Sequence, residues 1–237
     1  MKMKSISASA LIIAASLLLP VNAEAQTGKF TKIEPAPVPV VDGKVELSPK
    51  TTMIEFVGIH VGNDPKPRVG GFKKFTGAVE LSADNSMIKS MKLEIDVDSL
   101  WTEFDKLTGH LKNADFFETG KFGKSSFTST KVEKGEKGFN VTGELMLHGQ
   151  KNEVTIPVML KASDKGVIMK SEFKLDRTLF GMDKMTSGVE KEVSLQMVVG
   201  QKTSPRKAMG GPGGSAKSKM KRKARAMTVS LSAPNMT

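Results

Sequence analysis

Met87-Ile88-Lys89-Ser90-Met91-Lys92-Leu93-Glu94-Ile95-Asp96-Val97 decides the class of fold. In an extended chain Met87, Met91, Leu93, Ile95 and Val97 fall on one side, and Ser90, Lys92, Glu94 and Asp96 on the other. Successive side chains of a strand point to opposite faces, so this period of two predicts a strand with one buried and one wet face. The pattern recurs at Phe139, Val141, Gly143, Leu145 and Leu147, and at Val154, Ile156, Val158 and Leu160. It returns at Val167, Met169, Ser171, Phe173 and Leu175, and at Val193, Leu195, Met197 and Val199.

Turn residues separate these runs: Ala83-Asp84-Asn85, Lys134-Gly135-Glu136, His148-Gly149 and Asp164-Lys165-Gly166. Short strands with close-set turns predict an antiparallel meander. About eight strands in an open meander would leave two edges ready to pair with other chains, and closure into a barrel removes them. One stretch breaks the pattern. Across residues 99–113, Leu100, Phe104, Leu107 and Leu111 recur at helical spacing, which predicts a short helix over a barrel end with Ser99 as N-cap.

The 237 residues divide into four parts. Residues 1–25 read as an export signal, with Lys2 and Lys4 before the apolar run Leu11-Ile12-Ile13-Ala14-Ala15-Ser16-Leu17-Leu18-Leu19 and small residues at Ala23 and Ala25. That run is shorter than the ~20 residues a spanning helix needs, so cleavage after Ala25 and a periplasmic location are expected. Residues 26–44, with Pro35, Pro37 and Pro39, read as an extended linker, and residues 45–200 as the folded domain. Residues 201–237 carry nine basic side chains and no acid. The chain's net charge of +11 is therefore mostly a property of this tail, because residues 26–200 hold 25 basic and 24 acidic residues.

Cysteine is absent, which removes disulfides, thiolate metal sites and cysteine nucleophiles together. Such a domain has to be held by its core. Aromatics are only 5% of the chain, yet Phe116 and Phe117 stand side by side in His110-Leu111-Lys112-Asn113-Ala114-Asp115-Phe116-Phe117-Glu118. In regular structure two adjacent rings cannot both face one core, so a tight turn or a helix end is expected there.

At these residues the chain resembles the YceI-like family of exported, polyisoprenoid-binding, lipocalin-like proteins. The resemblance runs from about Val45 to Val199. It opens at Ile54-Glu55-Phe56-Val57-Gly58-Ile59-His60 and Gly71-Phe72-Lys73-Lys74-Phe75-Thr76-Gly77. It continues through Ile95-Asp96-Val97-Asp98-Ser99-Leu100-Trp101-Thr102, His110 to Phe117, Lys121-Phe122 and Ser126-Phe127-Thr128-Ser129-Thr130. It ends in Val141-Thr142-Gly143-Glu144-Leu145-Met146-Leu147-His148-Gly149 and Val154-Thr155-Ile156-Pro157-Val158. Gly123 stands where the family usually has proline, and the proline-rich entry and basic tail lie outside the shared part. The resemblance implies an all-β fold with one or two short helices: a lipocalin-like antiparallel barrel of about eight strands around an apolar tunnel. It implies a long isoprenoid chain, quinone or polyprenyl, as bound ligand, no other cofactor, and a homodimer.

Candidate ligand contacts at the cavity or its mouth are Phe56, His60, Phe72, Phe75, Trp101, Phe104, His110, Phe116 and Phe117, each aromatic being equally at home as plain core. Met87, Met91, Met146 and Met169 are candidates for a soft lining, with core packing the simpler reading of each. His60, His110 and His148 are scattered singly, without the paired spacing zinc sites use, so no metal is expected. His148 before Gly149 reads as a turn residue. Catalysis finds no support. Asp96 and Asp98 read as a wet face, Ser125 and Ser126 lack a nucleophile elbow, and the glycines at 210–214 lack the Lys-Ser or Lys-Thr of a phosphate loop. In the tail, Lys217, Lys219, Lys221, Arg222, Lys223 and Arg225 suit an anionic membrane surface. Export and the lack of aromatics argue against nucleic acid there. The alternative function is an envelope stress or interaction protein in which the barrel is a packed scaffold and this tail makes the contact.

Overall fold

The computed structural model describes Phe30, residues 34–62 and residues 64–205. Residues 1–25, read above as an export signal, and the six basic tail residues at 217–225 lie outside the described residues. Eleven strands and one helix follow in chain order: β1 (Lys44–Leu47), β2 (Thr52–His60), β3 (Lys66–Phe72), β4 (Phe75–Leu81), β5 (Ile88–Asp96), β6 (Leu100–Thr102), α1 (Asp105–Leu111), β7 (Lys124–Gly135), β8 (Gly138–Leu147), β9 (Gln150–Ser163), β10 (Gly166–Asp176) and β11 (Glu192–Val199). All pair antiparallel in one sheet, in the order β1-β4-β5-β7-β8-β9-β10-β11-β2-β3-β6.

The order itself forces the curl. β3 and β4 stand near opposite ends of it, yet only Lys73 and Lys74 join them. Three Cα–Cα steps span at most about 11 Å, so the two ends of the sheet must lie side by side. Ser99 fastens this corner, its Oγ accepting from the amides of Lys73 (3.1 Å) and Lys74 (2.9 Å). Among the described residues no ladder joins β1 to β6, so the barrel closes through the corner rather than through continuous pairing.

The strands are more numerous than the expected eight. The stretch Gly71 to Gly77 breaks at Lys73-Lys74 into two strands, and β1 and β6 add short edges. The helix is shorter than the one expected over residues 99–113. Leu100 and Trp101 are adjacent and both buried, at 2% and 4% exposure, as in a strand covered on both faces. They pair with Phe72 and Gly71 of β3, and the helix begins only at Asp105. Ser99 is thus a corner clamp, not an N-cap.

β5 departs from strict alternation as well. Glu80 faces Ser90 but Leu81 faces Ile88, so Lys89 is an extra residue, a β-bulge. The bulge flips the phase of the strand: Ile88 is buried at 2% and Met87 is 55% exposed.

Residues 35–44, which read in sequence as linker, lie on the barrel. Proline has no N–H, so the alternating prolines leave Ala36 and Val38 to make the bonds. Ala36 donates to Gly200 O (2.9 Å), and Val38 and Val167 exchange N–H···O bonds of 2.9 Å each. Gly200 takes φ +104°, and a Cβ there would stand 2.4 Å from Ala36 O. Gly200→Ala is therefore expected to cost about 1–3 kcal/mol by loosening this strap, read as a lower urea midpoint at unchanged slope.

Candidate functional site

One end of the barrel gathers the ends of β2, β5, β8 and β10 and the starts of β3, β7, β9 and β11, as the pairs His60–Lys66, Asp96–Lys124, Leu147–Gln150 and Asp176–Glu192 show. The opposite half is filled: Met91, Val141, Val158, Val167, Met169 and Val199 belong to one buried core cluster. Between them a cavity of about 220 Å³ remains near the first end. Its wall is built largely by alternation, with Ile59 of β2 as an exception. Phe56, Gly58 and His60 come from β2, Val193 and Leu195 from β11, Leu145 and Leu147 from β8, and Ile95 from β5. α1 lays Leu107 and Leu111, one helical turn apart, across it.

Three rings form the centre. Phe72 lies 5.9 Å from Phe56 and 6.2 Å edge-on to Phe117, and Phe56 and Phe117 are also 6.2 Å apart. The chain turns directly after α1, with Phe117 N bonded to Leu111 O and Phe116 N to Asn113 O, so Phe116 and Phe117 both reach the wall. Asp98 secures this turn by accepting from Thr119 Oγ1 (3.0 Å) and pairing with Lys112 (3.1 Å). Those bonds, that of Lys112 first, hold its carboxyl below the usual aspartate range.

The other candidates lie off the wall. Phe75 is buried in the core beyond the cavity. Trp101 faces the outside of the sheet with Val57 and Val69 and is covered by Phe30, its indole N–H buried without a partner among the described residues. Phe104 precedes α1 with the Arg68 guanidinium 5.4 Å from its ring centre. His110 packs edge-on to Phe116 and sits 3.6 Å from Asp115. Of the candidate methionines, Met91 and Met169 are core and Met87 and Met146 are exposed, while Met182 lines the cavity. His148 is a turn residue at φ +50°, its Nδ1 3.0 Å from Phe180 O.

Two wall residues carry no signal in the sequence, Arg68 and Arg177. Arg177 is 4% exposed and reaches into the segment before β11. Its Nε donates to Glu190 O (3.0 Å), Nη1 to Met182 O and to Lys184 O (3.0 Å), and Nη2 to Val189 O (3.1 Å). Burial pushes its pKa down from the usual arginine value, and Asp176 and Asp183 partly offset this. Asp176 caps the turn that carries it, accepting from Thr178 Oγ1 (2.6 Å) and N (2.8 Å), which holds that carboxyl low. A buried arginine at a strand end reads in sequence as one more solvated cation. Only the four carbonyls converging on it reveal otherwise.

An antiparallel barrel, filled at one end and hollow and apolar at the other, defines the class. Within that class the chain belongs to the YceI-like domain family, whose model matches residues 46–201. It is 31% identical over 123 residues to a UPF0312 protein of Yersinia enterocolitica, covering 52% of this chain and 61% of that protein. It is 36% identical over 93 residues to Protein YceI of Escherichia coli, covering 39% and 47%. The matches thus span about half the length of these curated relatives. The fold is similar to the crystal structure of Burkholderia cenocepacia BcnA, with TM-score 0.55 and 23% identity over 62% of this chain and 94% of that one. A YceI protein of Campylobacter jejuni gives TM-score 0.50 and 20% identity over 57% and 84%.

Proposed function

We propose that the chain is an exported binding protein that carries an apolar chain, an isoprenoid of quinone or polyprenyl type, with its tail in the barrel cavity. The observation that carries this reading is the hollow itself: a core that could have been filled is left open at one end and walled by aliphatic and aromatic side chains. Each buried methylene is worth ~0.8 kcal/mol, so such a wall binds a hydrocarbon chain without any exact polar partner. Allowing ~30 Å³ per heavy atom, the hollow takes one to two isoprene units. A longer chain gains room at α1, none of whose residues is buried.

Binding fits the wall better than catalysis does. Its hydroxyls are committed to backbone carbonyls, Ser125 Oγ to Met146 O (2.9 Å) and Thr102 Oγ1 to Phe104 O (2.8 Å). The leader-like residues 1–25 support export.

Native mass spectrometry tests the reading on protein made with its own leader and never exposed to detergent. An organic species that is released by solvent and fragments as an isoprenoid is the expected result. Leu195→Trp, which puts an indole into the hollow, is expected to lose it. A clean apo mass in the parent protein overturns the carrier reading.

A further inference from the structure

We infer that residues 227–233 of this chain's own tail dock as an added strand along β10, in a seam of the barrel wall between β9 and β10. The inference goes beyond the carrier reading and does not depend on it. β9 and β10 pair only where Met159–Ser163 lies against Gly166–Lys170. Carried on, that register sets Val158 opposite Ser171, Pro157 opposite Glu172 and so on to Glu153 opposite Asp176, but among the described residues no such pair forms. Over this length β9 pairs with β8 on its other edge, and β10 with β11. The ladder stops where Pro157, which has no N–H, enters it. Past the seam the two sides are tied again by Asn152 Nδ2, which donates to Leu179 O (2.9 Å).

Two signs mark the seam as unfilled. Ser171 at its head is 2% exposed, and its Oγ has no hydrogen-bond partner among the described residues. Val154 and Ile156 on β9, and Phe173 and Leu175 on β10, are only half-buried, although they share the inward phase of Val158 and Met169, which are fully buried. Unpaired strand edges of this kind are templates for a further strand. The sequence holds one: Met227-Thr228-Val229-Ser230-Leu231-Ser232-Ala233 alternates apolar and polar side chains and ends at Pro234. It lies outside the described residues. Its length matches the edge of β10 from Ser171 to Asp176. Docked there, Val229 and Leu231 face inward with Phe173 and Leu175, and Thr228, Ser230 and Ser232 face water.

The tail reaches this place without strain. Thr203 Oγ1 donates to Thr52 O (2.7 Å), Thr52 pairs with Val199, and Val199 pairs with Met169, just before the seam. The chain thus leaves the barrel two strand spacings from β10, about 10 Å. Residues 206–226 read as a Gly-rich, then basic, tether with a mean span of about 25 Å. A segment tethered at that range has an effective concentration on the order of millimolar, so even a weak strand docks.

Hydrogen exchange on the full exported chain, beside one ending at Arg225, tests the docking. The backbone amides of residues 171–176 are expected to exchange about tenfold or more faster in the shortened chain, the ratio that about 1.4 kcal/mol of docking gives. The amides of β8 around Val141 are expected to exchange alike in both, which shows that the shortened chain folds. A synthetic peptide of residues 226–237, added at millimolar concentration, is expected to restore slow exchange. In the full chain Ser230→Pro, which removes an N–H, is expected to act like the truncation, and Ser230→Thr to leave the protection in place. Equal exchange at 171–176 in the full and shortened chains overturns the inference. If that shared protection then falls on organic extraction, the seam holds cargo; if it rises with protein concentration, it holds a second copy.

Discussion

Arg177→Met is expected to lower the unfolding free energy by about 3 kcal/mol or more, although it keeps an unbranched apolar stem. The guanidinium collects the carbonyls of Met182, Lys184, Val189 and Glu190. Methionine offers none of these donors, and each carbonyl left without a partner costs about 1–3 kcal/mol unless water reaches it. The guanidinium also lies 5.8 Å from the Phe116 ring centre, and methionine brings no charge to that ring. Lysine is expected to rescue poorly, because one ammonium is a point charge and not a planar fork. Urea unfolding of both variants reads the effect. An unfolding free energy within about 1 kcal/mol of the parent would show that the residues before β11 hold themselves together.

Phe72→Ala is expected to cost about 3–5 kcal/mol, the usual range for emptying a buried phenylalanine site. Phe72 packs against both Phe56 and Phe117, so its removal leaves only the Phe56–Phe117 pair at the aromatic centre. The void adds to an existing hollow instead of making a sealed one. A ligand large enough to occupy both should therefore raise the variant's melting temperature more than the parent's, since binding to the folded state alone stabilises it. Equal shifts would place the Phe72 ring outside the binding volume.

Most strands are legible in the sequence because alternation is a direct record of which face meets the core. Leu145 and Leu147, or Val193 and Leu195, need no further information to be placed inward. What alternation hides are the places where a single residue changes the phase or the partner. The bulge at Lys89 reverses Met87 and Ile88, and nothing in the side chains around it announces an inserted residue. Leu100 keeps a helical spacing with Phe104 by coincidence, while the open edge of β3 claims it as a strand. Trp101 suggests a cavity residue by its size. Its pairing with Gly71 turns it outward, where Phe30 covers it. The alternating prolines do mark an extended chain. That the residues between them carry the N–H groups the barrel needs emerges only once Gly200 and Val167 lie alongside.

The filled half of the barrel has a consequence for how such a protein can change over time. Folding rests on residues such as Val141, Val158 and Met169, which lie away from the hollow. Wall positions outside the aromatic centre and the Arg177 cluster, such as Leu107 and Val193, can then change what is held at little cost to the fold. At those positions inheritance of the scaffold and drift of the cargo become separable, so descendants of one ancestral barrel are free to part company in ligand while keeping the same fold.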